Sequence, residues 1–206
     1  MSAIDVPAAV DHLVTLEGLA WGPISKREAY TAALYPHDTP GDAHSMARAQ
    51  SSCGLVCEAA LRAGGCDAAW LRLPYASSLH GTRYPAVVAQ ETAARQRGVW
   101  IDALRGTDAR PQVGDMVRIG GDTPGVTWSD PGVYAGAHVL TVIGIDGDHV
   151  ESIDGGQTDA ANGGRPTAIR RVSRVLATRG DALWLVSPVT GRGRRVAGWI
   201  DVAAWS

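Results

Sequence analysis

Residues 138–154 read HVLTVIGIDGDHVESID, and this stretch carries most of what the sequence predicts about the fold. Two apolar runs rich in β-branched residues flank Asp146-Gly147, a dipeptide typical of a tight hairpin turn. Across such a hairpin the start of the first strand faces the end of the second. The stretch therefore predicts two antiparallel strands that bring His138 close to Asp154.

Similar runs on both sides of this hairpin extend the pattern. They predict strands at Val113–Ile119, Ala137–Ile145, His149–Ile153, Ala168–Ala177, Ala182–Val186 and Arg195–Val202. Asp154-Gly155 is a second turn signal. Before about residue 110 the apolar spacing is helical, and it predicts helices at 5–17, Lys26–Leu34, Cys53–Ala63 and Ala86–Arg97. Helices first and strands later predict an α+β fold with N-terminal helices packed on an antiparallel β-sheet.

The composition narrows the classes of function. The chain has 206 residues, 45% of them hydrophobic, which suits a single domain spanning 1–206 with its own core. A formal net charge of -2 argues against nucleic acid or a membrane surface as a partner. The low and odd number of cysteines, three, argues against a disulfide framework, and because no CxxC pair is present, no structural metal site is expected.

The N-terminal stretch has neither the basic region nor the long apolar run of a signal peptide. We therefore expect synthesis in the cytoplasm without a signal peptide. If the protein acts elsewhere, a dedicated secretion system or cell lysis has to deliver it.

Cys53 falls in the first turn of a predicted helix, within AQSSCGLVC at 49–57. Backbone N–H groups and the helix dipole favour a thiolate there, and the N–H of Cys53 could donate to an oxyanion. His138, at the start of a predicted strand, could take the thiol proton of Cys53. Asp154 could then hold the imidazole nitrogen that faces away from the thiol. A buried small apolar residue is the other interpretation of Cys53 alone.

Two further residues have open roles. Gln50, just before the cysteine, could donate to an oxyanion or belong to a surface loop. Trp128, in a segment rich in Gly, Pro and Asp, could line a substrate groove or pack over the sheet edge. Cys57, one turn after the candidate nucleophile, is expected in the core.

Three segments in order resemble the NlpC-like and CHAP-like amidases of the papain-like superfamily. Ser-Ser-Cys-Gly-Leu-Val at 51–56 is similar to their nucleophile segment, 111–119 to the Gly-Asp strand before the histidine, and 138–148 to the histidine hairpin. The resemblance implies a papain-like (NlpC/CHAP) fold with a catalytic core at 45–190, after a helical extension at 1–44. The Ser-Cys-Gly sequence departs from the Asp-Cys-Ser often found in the NlpC-like family.

The resemblance implies a cysteine amidase or peptidase that needs no cofactor, with Asp154 or Gln157 as the third catalytic residue. Its implied substrate is a bacterial peptidoglycan peptide, cleaved by a phage lysin or by a secreted antibacterial effector. An effector would have an immunity protein as partner. A protein deamidase or acyltransferase toxin with the same triad, and a non-catalytic binding module on this fold, are the competing hypotheses.

Overall fold

The structure, a computed structural model, describes residues 3–19, 52–66, 85–105, 108–120, 138–159 and 165–205. Within these ranges three α-helices precede seven strands, and a short 3-10 helix, Ala103–Arg105, lies between the first two strands. The helices are α1 (Val6–Thr15), α2 (Ser52–Ala63) and α3 (Pro85–Gln96). The strands are β1 (Trp100–Asp102), β2 (Met116–Ile119), β3 (His138–Asp146), β4 (His149–Asp159), β5 (Arg165–Arg179), β6 (Ala182–Val186) and β7 (Gly193–Ile200). The predicted helix Lys26–Leu34 lies outside the described residues.

The strands form one antiparallel sheet that closes on itself. Strands β2 to β6 are neighbours in chain order, and β7 pairs with β6 and also with β2. Its first residues, 193–195, pair with β6, and its later residues, 196–200, pair with β2. Six strands therefore make a closed barrel, and β1 is added beside the end of β7.

The predicted fold class is wrong, and the closed barrel is the finding that overturns it. The described chain is mostly antiparallel β with few helices, whereas an α+β papain-like (NlpC/CHAP) fold has helices packed on a sheet. The antiparallel pairing was predicted, but it does not distinguish the two classes. Side chains alternate between two faces in an open sheet and in a barrel alike, so the sequence pattern carries no sign of closure.

An apolar cluster fills most of the barrel interior. Val117 on β2 pairs with Leu140 on β3 and with Trp199 on β7, and all three are buried. The cluster continues around the barrel with Ile119, Val142, Val150, Leu176, Leu183, Leu185 and Val196. Burying an aliphatic side chain of this size stabilises the fold by about 1.5–3 kcal/mol, so this cluster holds the six strands together.

Helix α2 packs on the outer face of β3 and β4. Thr141, which alternates with the interior residues of β3, donates a hydrogen bond from Oγ1 to Cys57 Sγ at 3.4 Å. Cys57 is fully buried in this second cluster, as the sequence predicted. Helix α1 packs against α2 in turn, and the N–H of Asp5 donates to the carbonyl of Gly64 at 2.8 Å. Among the described residues no helix is both long and apolar enough to cross a bilayer.

One predicted turn is present and the other is wrong. Asp146 pairs with His149 around Gly147, whose φ is 58°, so the tight hairpin is confirmed. The turn predicted at Asp154-Gly155 does not form, because β4 runs on to Asp159.

At Gly198 the backbone of β7 lies directly against Trp100 and Ile101 of β1, and this close approach generates a stability prediction. A Cβ at this position would lie 2.5 Å from the Cζ2 atom of Trp100 and against the carbonyl of Ile101. We expect Gly198→Ala to lower the free energy of unfolding by about 1–3 kcal/mol through overpacking, measured by urea denaturation. Gly144→Ala is the matched control on β3, because its Cβ would meet nothing closer than Glu151 at 3.6 Å. Equal losses in the two variants would contradict the prediction.

Candidate active site

Cys53 is the second residue of α2, so it lies in the first turn of the helix. The first N–H groups of a helix have no partner within the helix and point toward whatever lies at its start. The buried side chain of Gln90 on α3 donates from Nε2 to the carbonyl of Gly54 at 3.0 Å. Helix α3 therefore fixes the start of α2. Cys53 is 6% exposed, which leaves a narrow approach to this end of the helix.

The register of the hairpin decides whether the histidine can meet its carboxylate. Next to the turn, Asp146 pairs with His149. If that register continued, His138 would lie opposite Gln157 and Asp154 would point to the other face, because side chains alternate along a strand.

A β-bulge removes this mismatch. The register shifts between Val142 and Gly144, so Ile143 has no partner and Thr141 pairs with Ile153. A shift of one residue exchanges the two faces, and it brings His138 and Asp154 to the same side of the sheet. Nε2 of the histidine lies 2.8 Å from Oδ2 of Asp154.

Asp154 is fully buried and is also bound by an arginine. Arg174 on β5 donates from Nη2 to Oδ2 at 2.5 Å and from Nη1 to Oδ1 at 3.1 Å. The hydroxyl of Ser152 donates to Oδ1 at 2.6 Å. Burial alone would raise the pKa of Asp154, but the hydrogen bond and charge of His138 and the charge of Arg174 outweigh it. The pKa therefore falls well below its usual range.

His138 contacts both of its predicted partners. Burial alone would lower the pKa of His138, but the hydrogen bonds to Asp154 and to Cys53, with the charges of both, raise it to about 9. Since Nε2 faces the carboxylate, Nδ1 is the ring nitrogen left for the sulfur. The imidazole therefore carries its proton at neutral pH.

The charges of the site cancel when Cys53 is a thiolate. Asp154 and the thiolate are then the two anions, and His138 and Arg174 are the two cations. Arg174 neutralises the carboxylate, so the charge of the imidazolium is matched by the sulfur. This arrangement can supply a nucleophile and a proton donor side by side.

The structure brings together Cys53, His138 and Asp154, as the sequence predicted. Gln157, the alternative third residue, lines a cavity beside His138, but the contact with Nε2 is made by Asp154. Gln50 and Trp128 lie outside the described residues. Within the described ranges no group of three His, Cys, Asp or Glu side chains could hold a metal ion.

Sequence reasoning missed Arg174, Ser152 and Gln90. Arg174 lies in a strand with several arginines, at positions 165, 170, 171, 174 and 179, and nothing local marks the one that reaches Asp154. Gln90 lies in the middle of a helix with no motif around it. These residues could have been found only from the pairing of β4 with β5 and from the packing of α3 on α2.

The Gly-Asp pair of the sequence motif connects three parts of the fold. The N–H of Gly114 donates to the carbonyl of Val142 at 2.8 Å. Asp115 accepts from the N–H of Gln112 at 2.8 Å and from the N–H of Val202 at 3.2 Å. Burial raises the pKa of Asp115 to about 7. The pair therefore holds β2 against β3 and against the chain after β7, away from the candidate triad.

Arg174→Gln should slow alkylation of Cys53 by iodoacetamide at pH 7 by about tenfold, because Asp154 alone then balances the imidazolium and an extra anion is less favourable. Removing one partner of a buried ion pair should also lower the free energy of unfolding by about 3–5 kcal/mol. Arg174→Lys, which keeps the charge, should recover part of the alkylation rate. Equal alkylation rates in wild type and in Arg174→Gln, measured on folded protein, would show that the arginine does not influence the sulfur.

The raised pKa of His138 predicts how stability depends on pH. The pKa is about 9 in the folded state against an ordinary value of 6.5. Such a group stabilises the fold fully below about pH 6.5, and this contribution is lost as the pH rises through 9. The stability difference between wild type and His138→Gln, from urea denaturation, should be largest near pH 6 and shrink steadily toward pH 10. A difference that stays constant with pH would contradict a raised pKa.

Comparison with known proteins gives no independent assignment. No family model, no curated protein and no solved structure matches the chain. A proposal about its function therefore depends on the contacts among Cys53, His138, Asp154 and Arg174.

Proposed function

We propose that the chain is a cysteine hydrolase of amide bonds, an amidase or peptidase, with Cys53 as nucleophile. His138 is its general acid and base, and Asp154 orients the imidazole. The observation that carries the proposal is that one imidazole contacts a cysteine at a helix start on one side and a buried carboxylate on the other. This is the geometry that activates a nucleophile by an adjacent base held by a third group.

The reaction proceeds in two halves. The Cys53 thiolate attacks the amide carbonyl, and the tetrahedral intermediate collapses to a thioester while His138 gives its proton to the departing amine. His138, now neutral, takes a proton from water, and the hydroxide attacks the thioester. The carboxylic acid leaves and the thiolate and imidazolium are restored.

Two features support the individual steps. The backbone N–H of Cys53 lies in the first turn of α2, a position suited to donate to the oxyanion. Asp154 holds Nε2, so Nδ1 stays directed at the sulfur through both proton transfers. The pKa of about 9 for His138 keeps the acid form available for the leaving amine at neutral pH.

We propose bacterial peptidoglycan peptides as the substrate, cleaved by a lysin or by a delivered effector. The order of the sequence segments supports this choice: cysteine helix, Gly-Asp strand, histidine strand, acidic residue. The barrel does not support it, so the substrate is tested separately from the chemistry.

Cys53→Ala should abolish muropeptide release from purified sacculi, by about a thousandfold or more, because the thioester cannot form. Cys66→Ala is the matched control, since this half-buried cysteine lies after α2, and it should keep wild-type release. Release would be followed by mass spectrometry of the soluble fragments. Undiminished release by Cys53→Ala would refute the assignment.

A thiol probe separates the chemistry from the substrate. Iodoacetamide should label Cys53 faster than it labels free cysteine at pH 7, whereas Cys57, whose pKa burial raises, should stay unlabelled in folded protein. Fast labelling of Cys53 together with no release of muropeptides from sacculi would favour a deamidase or acyltransferase acting on protein. Labelling no faster than that of free cysteine would favour a binding module.

A further inference from the structure

A cavity of about 810 Å³ opens at the end of the barrel where His138 lies. Its wall includes four arginines, Arg174, Arg179, Arg192 and Arg194. The other described lining residues are apolar or neutral apart from His138, and no Asp or Glu is among them. We call this space the arginine cavity. Its positive charge is local, because the whole chain has a net charge of -2.

Three of the four arginines remain available to a ligand. Arg174 is paired with Asp154, to which it donates two hydrogen bonds. Arg179 lies over the ring of Trp184, with its guanidinium carbon 5.2 Å from the ring centroid, a contact that orients the group without neutralising it. Within the described part of the chain, no carboxylate forms an ion pair with Arg192 or Arg194.

The backbone fixes where the two C-terminal arginines project. Arg194 pairs with Leu185, whose side chain lies in the barrel interior, so Arg194 starts from the interior face of β7. Arg192 is two residues earlier, and its N–H donates to Thr190 Oγ1 at 3.3 Å within a hairpin turn. That turn is closed by the N–H of Ser187, which donates to the carbonyl of Arg192 at 2.8 Å. Both arginines are therefore presented from hydrogen-bonded backbone.

We infer that the arginine cavity binds an anionic group of the substrate, a carboxylate or a phosphate, while the amide bond lies beside His138. This inference rests on the proposed function, because it names the class of substrate taken by that same site. A guanidinium matches the two oxygens of either anion in a bidentate contact. The cavity volume lies in the range of sites that take a drug-sized organic ligand, about 300–1,000 Å³. The ligand is therefore an acidic peptide or acyl amide and not an isolated ion.

The test uses three chloroacetylated peptides that differ at one residue, which is glutamine, glutamate or phosphoserine. The chloroacetyl group alkylates Cys53, so the rate at low peptide concentration reports both binding and reactivity. We expect the two acidic peptides to react about tenfold faster than the neutral one, the ratio that one charge-assisted contact supplies. Whichever of the two is faster identifies the preferred anion.

Arg192→Gln combined with Arg194→Gln should reduce this preference to about threefold or less, because the rate falls more with the acidic peptides than with the neutral one. Arg110→Gln combined with Arg170→Gln is the control, because it removes the same charge at exposed positions outside the cavity. A wild-type protein without preference for the acidic peptides, or a preference that the Arg192 and Arg194 substitutions do not reduce, would overturn the inference.

A second measurement keeps this outcome separate from that of the proposed function. The same peptides, acetylated instead of chloroacetylated, are titrated calorimetrically into Cys53→Ala protein, where no chemistry occurs. Tighter binding of an acidic peptide, weakened by the Arg192 and Arg194 substitutions, would support the cavity even if Cys53 proved unreactive. Equal binding of all three peptides would refute the cavity even if Cys53 proved fast.

Discussion

One buried carboxylate, Asp154, determines the geometry of the candidate site because two cations share it. Arg174 binds both of its oxygens, and His138 binds Oδ2. A buried charge is tolerated only when it is paired and hydrogen-bonded, so the three side chains have to stay together. They come from β3, β4 and β5, and the site therefore depends on the register of three neighbouring strands.

The site lies where the two cores of the molecule meet. Cys53 belongs to the cluster between α2 and the outer face of the barrel, whereas Asp154 follows the alternation of the interior residues Val142 and Val150. His138 is the first residue of β3, at the end of the barrel, and it contacts both sides. A residue in the middle of a strand could not do this, because neighbouring backbone would separate the two faces.

The sequence predicted the three side chains that meet in the candidate site, Cys53, His138 and Asp154, and it predicted most of the strands. It did not predict how the strands pair with one another. The hairpin at Asp146-Gly147 suggested that His138 approaches Asp154, although a regular hairpin would put them on opposite faces. The bulge at Ile143 corrects the register, and Gly144 directly after it is the one local signal, because an isolated glycine within a strand often marks a bulge. The barrel was missed for a related reason, because closure depends on β7 pairing with two strands and local patterns do not encode pairing partners.

The arginine cavity and the buried carboxylate have opposite effects on the imidazole. Cations near the site favour the thiolate of Cys53, which benefits the nucleophile, but the same cations disfavour a protonated His138. Burial also lowers the pKa of His138 and so opposes the protonated form that a leaving amine needs. Asp154 reverses this effect, because its negative charge is held in contact with Nε2 at a depressed pKa. In the proposed mechanism, the carboxylate is what would keep His138 available as an acid beside a cationic cavity.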